Sequence, residues 1–375
     1  MLLMKMLRVR RKDPEATVVE MFSNWLRSGK VAGLLVPAVS KLGIAVPVLF
    51  SDPERVDNVH PFLPVMKVNG ASIVAEIAGG GSSGVRIGVV LKPCEMRGVV
   101  ELIKLQQVAR ENLLLIGVDC PGTYKLEKVK AELNDSKGFV RNFLMEQGRY
   151  LNEPNFRTAC QMCEFSVPLV YDLAIGFLGL DPGQELILTA ATELGVSLLD
   201  GLETVDIAEP PKARVDYLSE LSRIRQQQAV EKIAEFDRHA LGPERLVKYF
   251  ADCLNCHNCM KVCPVCYCRQ CFFESEVFDR ELDDYVRVSR RKGLNRMPAG
   301  TMLYHLTRMN HMMTSCVQCG ICEESCPVGI GLTVLYKKVS RNAQAEFNYL
   351  SGRSLDEPLP LTTFREDEFR EIGEE

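Results

Sequence analysis

The chain has 375 residues, 46% hydrophobic and 25% charged, with a formal net charge of −4 and a sequence pI near 5.9. Its composition is that of a globular protein able to bury a core, and its acidic balance argues against nucleic acid as a general partner. No apolar run approaches the roughly 18 residues that a membrane span needs, and at roughly 150 residues per domain the length suggests two or three domains.

The N-terminus, residues 1–12, is basic with scattered apolar residues and shows no cleavage-site pattern, so no leader peptide is expected. Residues 1–210 read as alternating strands and helices. Apolar runs at 32–39, 85–91 and 112–118 have strand length. Between the last two, 95–110 carries apolar residues at helical spacing, which predicts a βαβ unit with parallel pairing. The Gly/Ser run at 79–84 precedes a strand and does not open a helix, so it reads as a surface loop and not as a phosphate cradle. Cys94 (KPCEMRG) and Cys120 (GVDCPGTY) fall just after strands. Open α/β sheets bind ligands at those strand ends. Cys160 and Cys163 form a pair in a loop (RTACQMCEF). These four cysteines are either buried free thiols or the ligands of a 4Fe–4S cluster. Lys92 and Arg97 flank Cys94 and are candidates to face a flavin phosphate or a cluster, with plain surface or salt-bridge roles equally open.

A stretch at 208–214 (AEPPKAR) reads as a linker, followed by helical composition over 215–241 and 243–252. Two copies of C-x2-C-x2-C-x3-C-P then follow: Cys253, Cys256, Cys259, Cys263 and Cys316, Cys319, Cys322, Cys326. Three closely spaced thiolates reach three irons of one cube, and a fourth arrives from further along. In two-cluster ferredoxins the last cysteine of each run ligates the other cluster. One predicted cluster therefore takes Cys253, Cys256, Cys259 and Cys326, the other Cys316, Cys319, Cys322 and Cys263. Structural zinc prefers two separated pairs, and disulfide scaffolds belong to small secreted domains, so neither fits. Cys266, Cys268 and Cys271 (CPVCYCRQC) remain, as a further metal site completed by a partner or as packing. The insert between the runs, including 300–313, reads as helical. Its methionines and His305 and His311 read as packing beside the clusters. The acidic tail at 365–375 reads as solvated. This density of thiolates implies a reducing, cytoplasmic and anaerobic setting.

The expected fold is an α/β N-terminal domain with a mixed or parallel sheet, plus a mostly helical dicluster ferredoxin-like domain. The expected division is 1–207, a helical linker 208–252, the two-cluster domain 253–345 and a tail 346–375. The segments VVLKPCEMRGVVEL, LLLIGVDCPGTY and CQMCEFSVPLVYDLAIGFLG resemble the beta subunit of coenzyme F420-reducing hydrogenases and dehydrogenases, over about residues 20–205. The extension with CPVCYCRQC and the second cysteine run is similar to the beta subunit of the related formate dehydrogenases. The resemblance implies an N-terminal domain that holds one 4Fe–4S cluster, on Cys94, Cys120, Cys160 and Cys163, together with FAD. The FAD would exchange hydride with the deazaflavin coenzyme. It also implies an alpha subunit that carries the formate or hydrogen site, so that primary substrate oxidation lies in a partner. The family's Gly-rich N-terminal segment is replaced here by DPEATVVEMFSNWL. A flavin-free adaptor, joining a dehydrogenase to a ferredoxin or a heterodisulfide-reductase-like partner, is the alternative expectation. No nucleic acid and no direct membrane insertion are expected.

Overall fold

The computed structural model describes residues 2–40, 43–81, 84–279, 281–293, 298 and 300–362. Ser82 and Ser83 of the Gly/Ser run and the 365–375 tail lie outside them. The N-terminal half contains β1 (Leu3–Arg8), α1 (Pro14–Arg27), β2 (Gly33–Val39), β3 (Ala45–Phe50), α2 (Gly70–Ala78), β4 (Ile87–Leu91), α3 (Pro93–Lys104) and β5 (Leu113–Val118). It continues through α4 (Leu126–Val129), α5 (Ser136–Met145), α6 (Thr158–Gln161), β6 (Leu173–Gly176), β7 (Glu185–Ala190), α7 (Glu193–Leu199) and β8 (Thr204–Asp206). The second half is helical: α8 (Lys212–Ala240), α9 (Pro243–Tyr249), α10 (Asn258–Lys261), α11 (Leu282–Lys292), α12 (Thr301–Met312), α13 (Ile321–Glu324) and α14 (Leu332–Glu346).

The strands form one sheet in the order β3-β2-β4-β5-β6-β7-β1-β8. β2, β4, β5 and β6 pair in parallel, and the outer pairs are antiparallel, so the sheet is mixed. β2, β4 and β5 are buried along their whole length, as parallel strands covered on both faces must be. Alternation divides them between two cores. Leu34, Val36, Val90, Leu114 and Ile116 face one, which holds Val18, Met21, Phe22 and Trp25 of α1. Leu35, Val89, Leu91, Leu113 and Leu115 face the other, with α2 and α3.

α8 joins the halves. Its buried positions, Arg214, Leu221, Arg225, Ala229, Phe236 and Ala240, fall on one face. It starts at Lys212, inside the stretch that reads as a linker, because Arg214 pairs with buried Asp119 at 2.5 and 3.0 Å. α3 stops at Lys104, short of the expected 110, where Gln106 turns to φ 58°. Phe250, Cys253, Cys259, Tyr304, Met309, Ile330, Leu335 and Tyr336 build the second core. The segment after α14 returns to the first half, where Arg97 Nε donates to the Ser351 carbonyl at 2.8 Å. Gly352 N–H donates to Glu101 Oε1 at 2.7 Å.

Candidate iron–sulfur centres

Local backbone conformation explains how each cysteine run forms its loop. In the first copy, Asn255 and His257 take φ 53° and 58°. In the second, Gln318 and Gly320 stand at the matching positions with φ 58° and 71°. The two loops are thus one conformation used twice. It turns backbone N–H groups inward: Asn255 N–H donates to Cys253 Sγ at 3.4 Å, and Gln318 N–H bonds Cys316. Glycine is required only in the second copy, where a Cβ on residue 320 would lie 2.4 Å from Ala159 Cβ. In the first copy His257 accepts the left-handed conformation and stacks on Tyr304 at 4.3 Å between centroids.

The mutual influence of the thiols shows which cysteines the fold brings together. Burial pushes the Cys253 thiol up, and Cys259, Cys256 and Cys326 add to it. Cys316, Cys319 and Cys322 are likewise raised by burial, and each feels Cys263. Cys263, Cys316, Cys319 and Cys322 line one cavity together with Arg308 and Tyr336. The fourth cysteine of each run therefore stands with the other run. Burial raises Cys94, Cys120 and Cys163, with Cys120 reaching about 12; Glu95, then Cys319 of the second run, then Cys120 and Cys163 act on Cys94, and Cys160 acts on Cys120 and Cys163. Cys94 and Cys120 lie just beyond the C-terminal ends of β4 and β5, and the α6 turn carries Cys160 and Cys163 to them. This third group abuts the second run: Cys94 packs in one small apolar cluster with Val317, Cys319 and Ile321.

Hydrogen bonds converge on these sulfurs. Cys160 Sγ accepts from Thr123 N–H at 3.3 Å and from Arg157 at 3.5 Å. Burial alone would raise its pKa, but Arg157, Thr123 and Arg225 outweigh burial and hold the thiol below its ordinary value. His305 Nε2 lies 3.3 Å from Cys253 Sγ, Tyr304 Oη 3.3 Å from Cys259 Sγ, and Ile330 N–H donates to Cys326 Sγ at 3.4 Å.

Sequence reasoning named Lys92 and Arg97 but missed the other cations. Arg157, Arg225, Arg308 and Lys337 are buried among the thiols, as are Lys92 and Arg97. Burying a charge without an opposite partner is costly. Arg157 Nη1, Arg225 Nη1 and Arg308 Nε are nonetheless buried with no hydrogen-bond partner. Such groups fit an anionic cluster held by four thiolates, and so does the donor set. Arg97 is otherwise committed to protein: it donates to the Ser351 and Val317 carbonyls and to Ser351 Oγ, and it stacks on Phe165 at 4.0 Å. Lys92 caps α3, and its Nζ is 3.9 Å from Glu95.

Cys266, Cys268 and Cys271 line a separate cavity of about 330 Å³. Among the described residues, no three His, Cys, Asp or Glu side chains converge as ligands of a single metal ion.

The residues around α1 fit the FAD pyrophosphate poorly. A cleft of about 480 Å³ runs beside the start of α1, and its walls carry Asp13, Glu15, Glu20 and Glu54. Asp13 accepts the Ala16 N–H at 2.8 Å, and Glu15 is paired with His60 at 3.0 Å. A pyrophosphate there would meet carboxylates in place of free N–H donors. Lys137 and Arg141 are the cleft's other cations besides Arg27, which Glu54 holds at 2.7 Å.

A mixed α/β sheet carrying cysteines at its strand ends, joined to a helical two-run cysteine domain, defines an iron–sulfur protein. Comparison with known proteins gives the particular relationship. Residues 84–213 match the family model for the C terminus of the coenzyme F420 hydrogenase/dehydrogenase beta subunit. Residues 225–330 match the 4Fe-4S dicluster domain. The chain is 27% identical over 308 residues to the F420-dependent formate dehydrogenase subunit beta of Methanocaldococcus jannaschii, covering 73% of this chain and 75% of that protein. It is 25% identical over 309 residues to the F420-dependent formate dehydrogenase 1 subunit beta of Methanococcus maripaludis, covering 74% and 75%. A chain of the F420-reducing NiFe hydrogenase complex of Methanosarcina barkeri aligns with a TM-score of 0.45 and 16% identity, over 64% of this chain and 94% of that one. No helix among the described residues is long and apolar enough to cross a membrane.

Proposed function

We propose that this chain is the electron-transfer (beta-type) subunit of a formate dehydrogenase or hydrogenase type oxidoreductase, with three 4Fe–4S clusters in line. The observation that supports the reading is the cavity that Cys263 of the first run shares with Cys316, Cys319 and Cys322 of the second; Cys326 in turn acts on Cys253, and Cys120 and Cys163 act on Cys94. Clusters bound there supply one-electron relays. Cys94, Cys120, Cys160 and Cys163 hold the inner end. Cys263, Cys316, Cys319 and Cys322 hold the middle, against which Cys94 packs. Cys253, Cys256, Cys259 and Cys326 hold the outer end, where Cys256 is exposed. The buried cations compensate the negative charge of each site, while backbone N–H, Thr123, Tyr304 and His305 donate to its sulfurs.

The partner is an alpha subunit that carries the primary oxidation. The acidic walls beside α1 and the commitment of Arg97 to protein favour the adaptor form, without bound FAD. Electrons then pass to a ferredoxin or a heterodisulfide-reductase-like partner with its own flavin. Iron and acid-released flavin, measured on anaerobically purified protein, test both parts. About twelve irons per chain, four per cubane, are expected. Eight irons would remove the inner site. Stoichiometric FAD would replace the adaptor reading with a hydride-exchanging flavoprotein that delivers electrons to the deazaflavin coenzyme.

A further inference from the structure

Cys266, Cys268 and Cys271 belong to none of the three sets. They share one cavity with Met260, Tyr304 and Arg308. Its volume of about 330 Å³ lies at the lower end of the range for small-molecule sites. Cys268 is exposed, whereas Cys266 and Cys271 are half-buried. Cys271 Sγ lies 3.5 Å from Sδ of Met260, the residue after Cys259. Cys266 is within electrostatic reach of Cys263 on one side and of Cys268 and Cys271 on the other. Tyr304 and Arg308 reach from the cavity wall to the Cys259 sulfur and carbonyl. The thiols thus sit against both the middle and the outer cysteine sets. Cys268 and Cys271 also have the C-x-x-C spacing of a dithiol that closes to a disulfide.

We propose that Cys268 and Cys271 form a redox-active dithiol that reduces small-molecule disulfides with electrons from this chain. The proposal rests on the three-cluster reading for its electron source. The exposed Cys268 thiolate attacks one sulfur of the bound disulfide, forming a mixed disulfide and releasing the first thiol with one proton. Cys271 then attacks Cys268 Sγ, which releases the second thiol and leaves a Cys268–Cys271 disulfide. Two electrons, delivered singly by the electron-transfer path, and two protons from solvent restore the dithiol. The net change is one disulfide plus two electrons and two protons giving two thiols.

The test uses the cluster-loaded full chain, cystamine as the disulfide and reduced methyl viologen as the electron donor. Cystamine-dependent oxidation of the viologen is expected, falling at least tenfold in Cys268→Ser and Cys271→Ser with iron per chain unchanged. In the wild type, alkylation after cystamine treatment should find Cys268 and Cys271 linked to each other. Alkylation after viologen reduction should find both free. No cystamine-dependent oxidation, equal alkylation in the two states, or wild-type rates in Cys268→Ser would each overturn the proposal. So would a loss of iron in Cys268→Ser, which would make the residue a metal ligand. Cluster EPR on the same samples reads the three-cluster assignment separately.

Discussion

His305 shows how one side chain ties packing to redox chemistry. It stacks on Phe250 at 3.9 Å and touches Cys253 Sγ through Nε2. Burial, then Arg308 and His257, push its pKa down to about 3. Nδ1 has no partner, so with the ring proton on Nε2 the imidazole donates to the sulfur. A hydrogen bond to sulfur favours the more negative, reduced state of a cluster. His305→Phe keeps the stack and removes the donor. It should lower the outer potential by roughly 40 mV, the equivalent of about 1 kcal/mol for one electron. A potentiometric EPR titration reads this, and an unchanged potential would refute the role. The same residue sets a pH dependence. In the cluster-free chain its folded pKa lies below the unfolded value of about 6.5, so there its contribution to stability is full above that pH and is lost as pH falls toward 3. Denaturation midpoints should drop between neutral pH and pH 5 in the wild type, and less so in His305→Phe.

At the level of the loop, the two cysteine runs share a backbone conformation but not its neighbours. Gly320→Ala adds a left-handed alanine and an overlap with Ala159, costing roughly 2–5 kcal/mol together. The variant should lose iron and melt earlier. His257→Gly trades strain relief for a lost stack on Tyr304 and should stay within about 1 kcal/mol of the wild type. Equal melting temperatures for the two variants would contradict this account. The runs themselves were legible in the sequence because all their information is local: spacing, proline and glycine. Cys94 and Cys120 were legible as strand ends, since β4 and β5 are short apolar runs. Arg225, Arg308 and Lys337 were not, because the thiols that justify their burial come from other segments of the chain; Arg157 sits three residues before its own partner, Cys160, and could have been read from the same stretch. Arg225 lies on a 29-residue helix whose composition is mostly polar, and only the packed structure shows which face turns inward. The start of α8 was misread for a similar reason: two prolines suggest a break, while the buried Arg214–Asp119 pair decides where the helix begins.

Over the whole molecule the two halves depend on metal differently. The sheet has continuous apolar cores on both faces. The second core is built around Cys253 and Cys259, with Cys263, Cys316, Cys322 and Cys326 packed against it. Binding energy of a metal at such a centre is folding energy. Chelation after oxidation should therefore unfold the region around α9–α14 while the strands keep their hydrogen-exchange protection. Loss of protection throughout would show that the sheet depends on the clusters too. The way the chain closes on itself also bears on how it is made. Arg97 and Glu101 are satisfied in part by Ser351 and Gly352, more than 250 positions later. During synthesis at about 5–20 residues per second, α3 has to wait tens of seconds, its two charges still hydrated, before those partners leave the ribosome. The Cys94 neighbourhood cannot close before then, which leaves its thiols open to the cell's iron–sulfur assembly machinery until Ser351 and Gly352 have emerged.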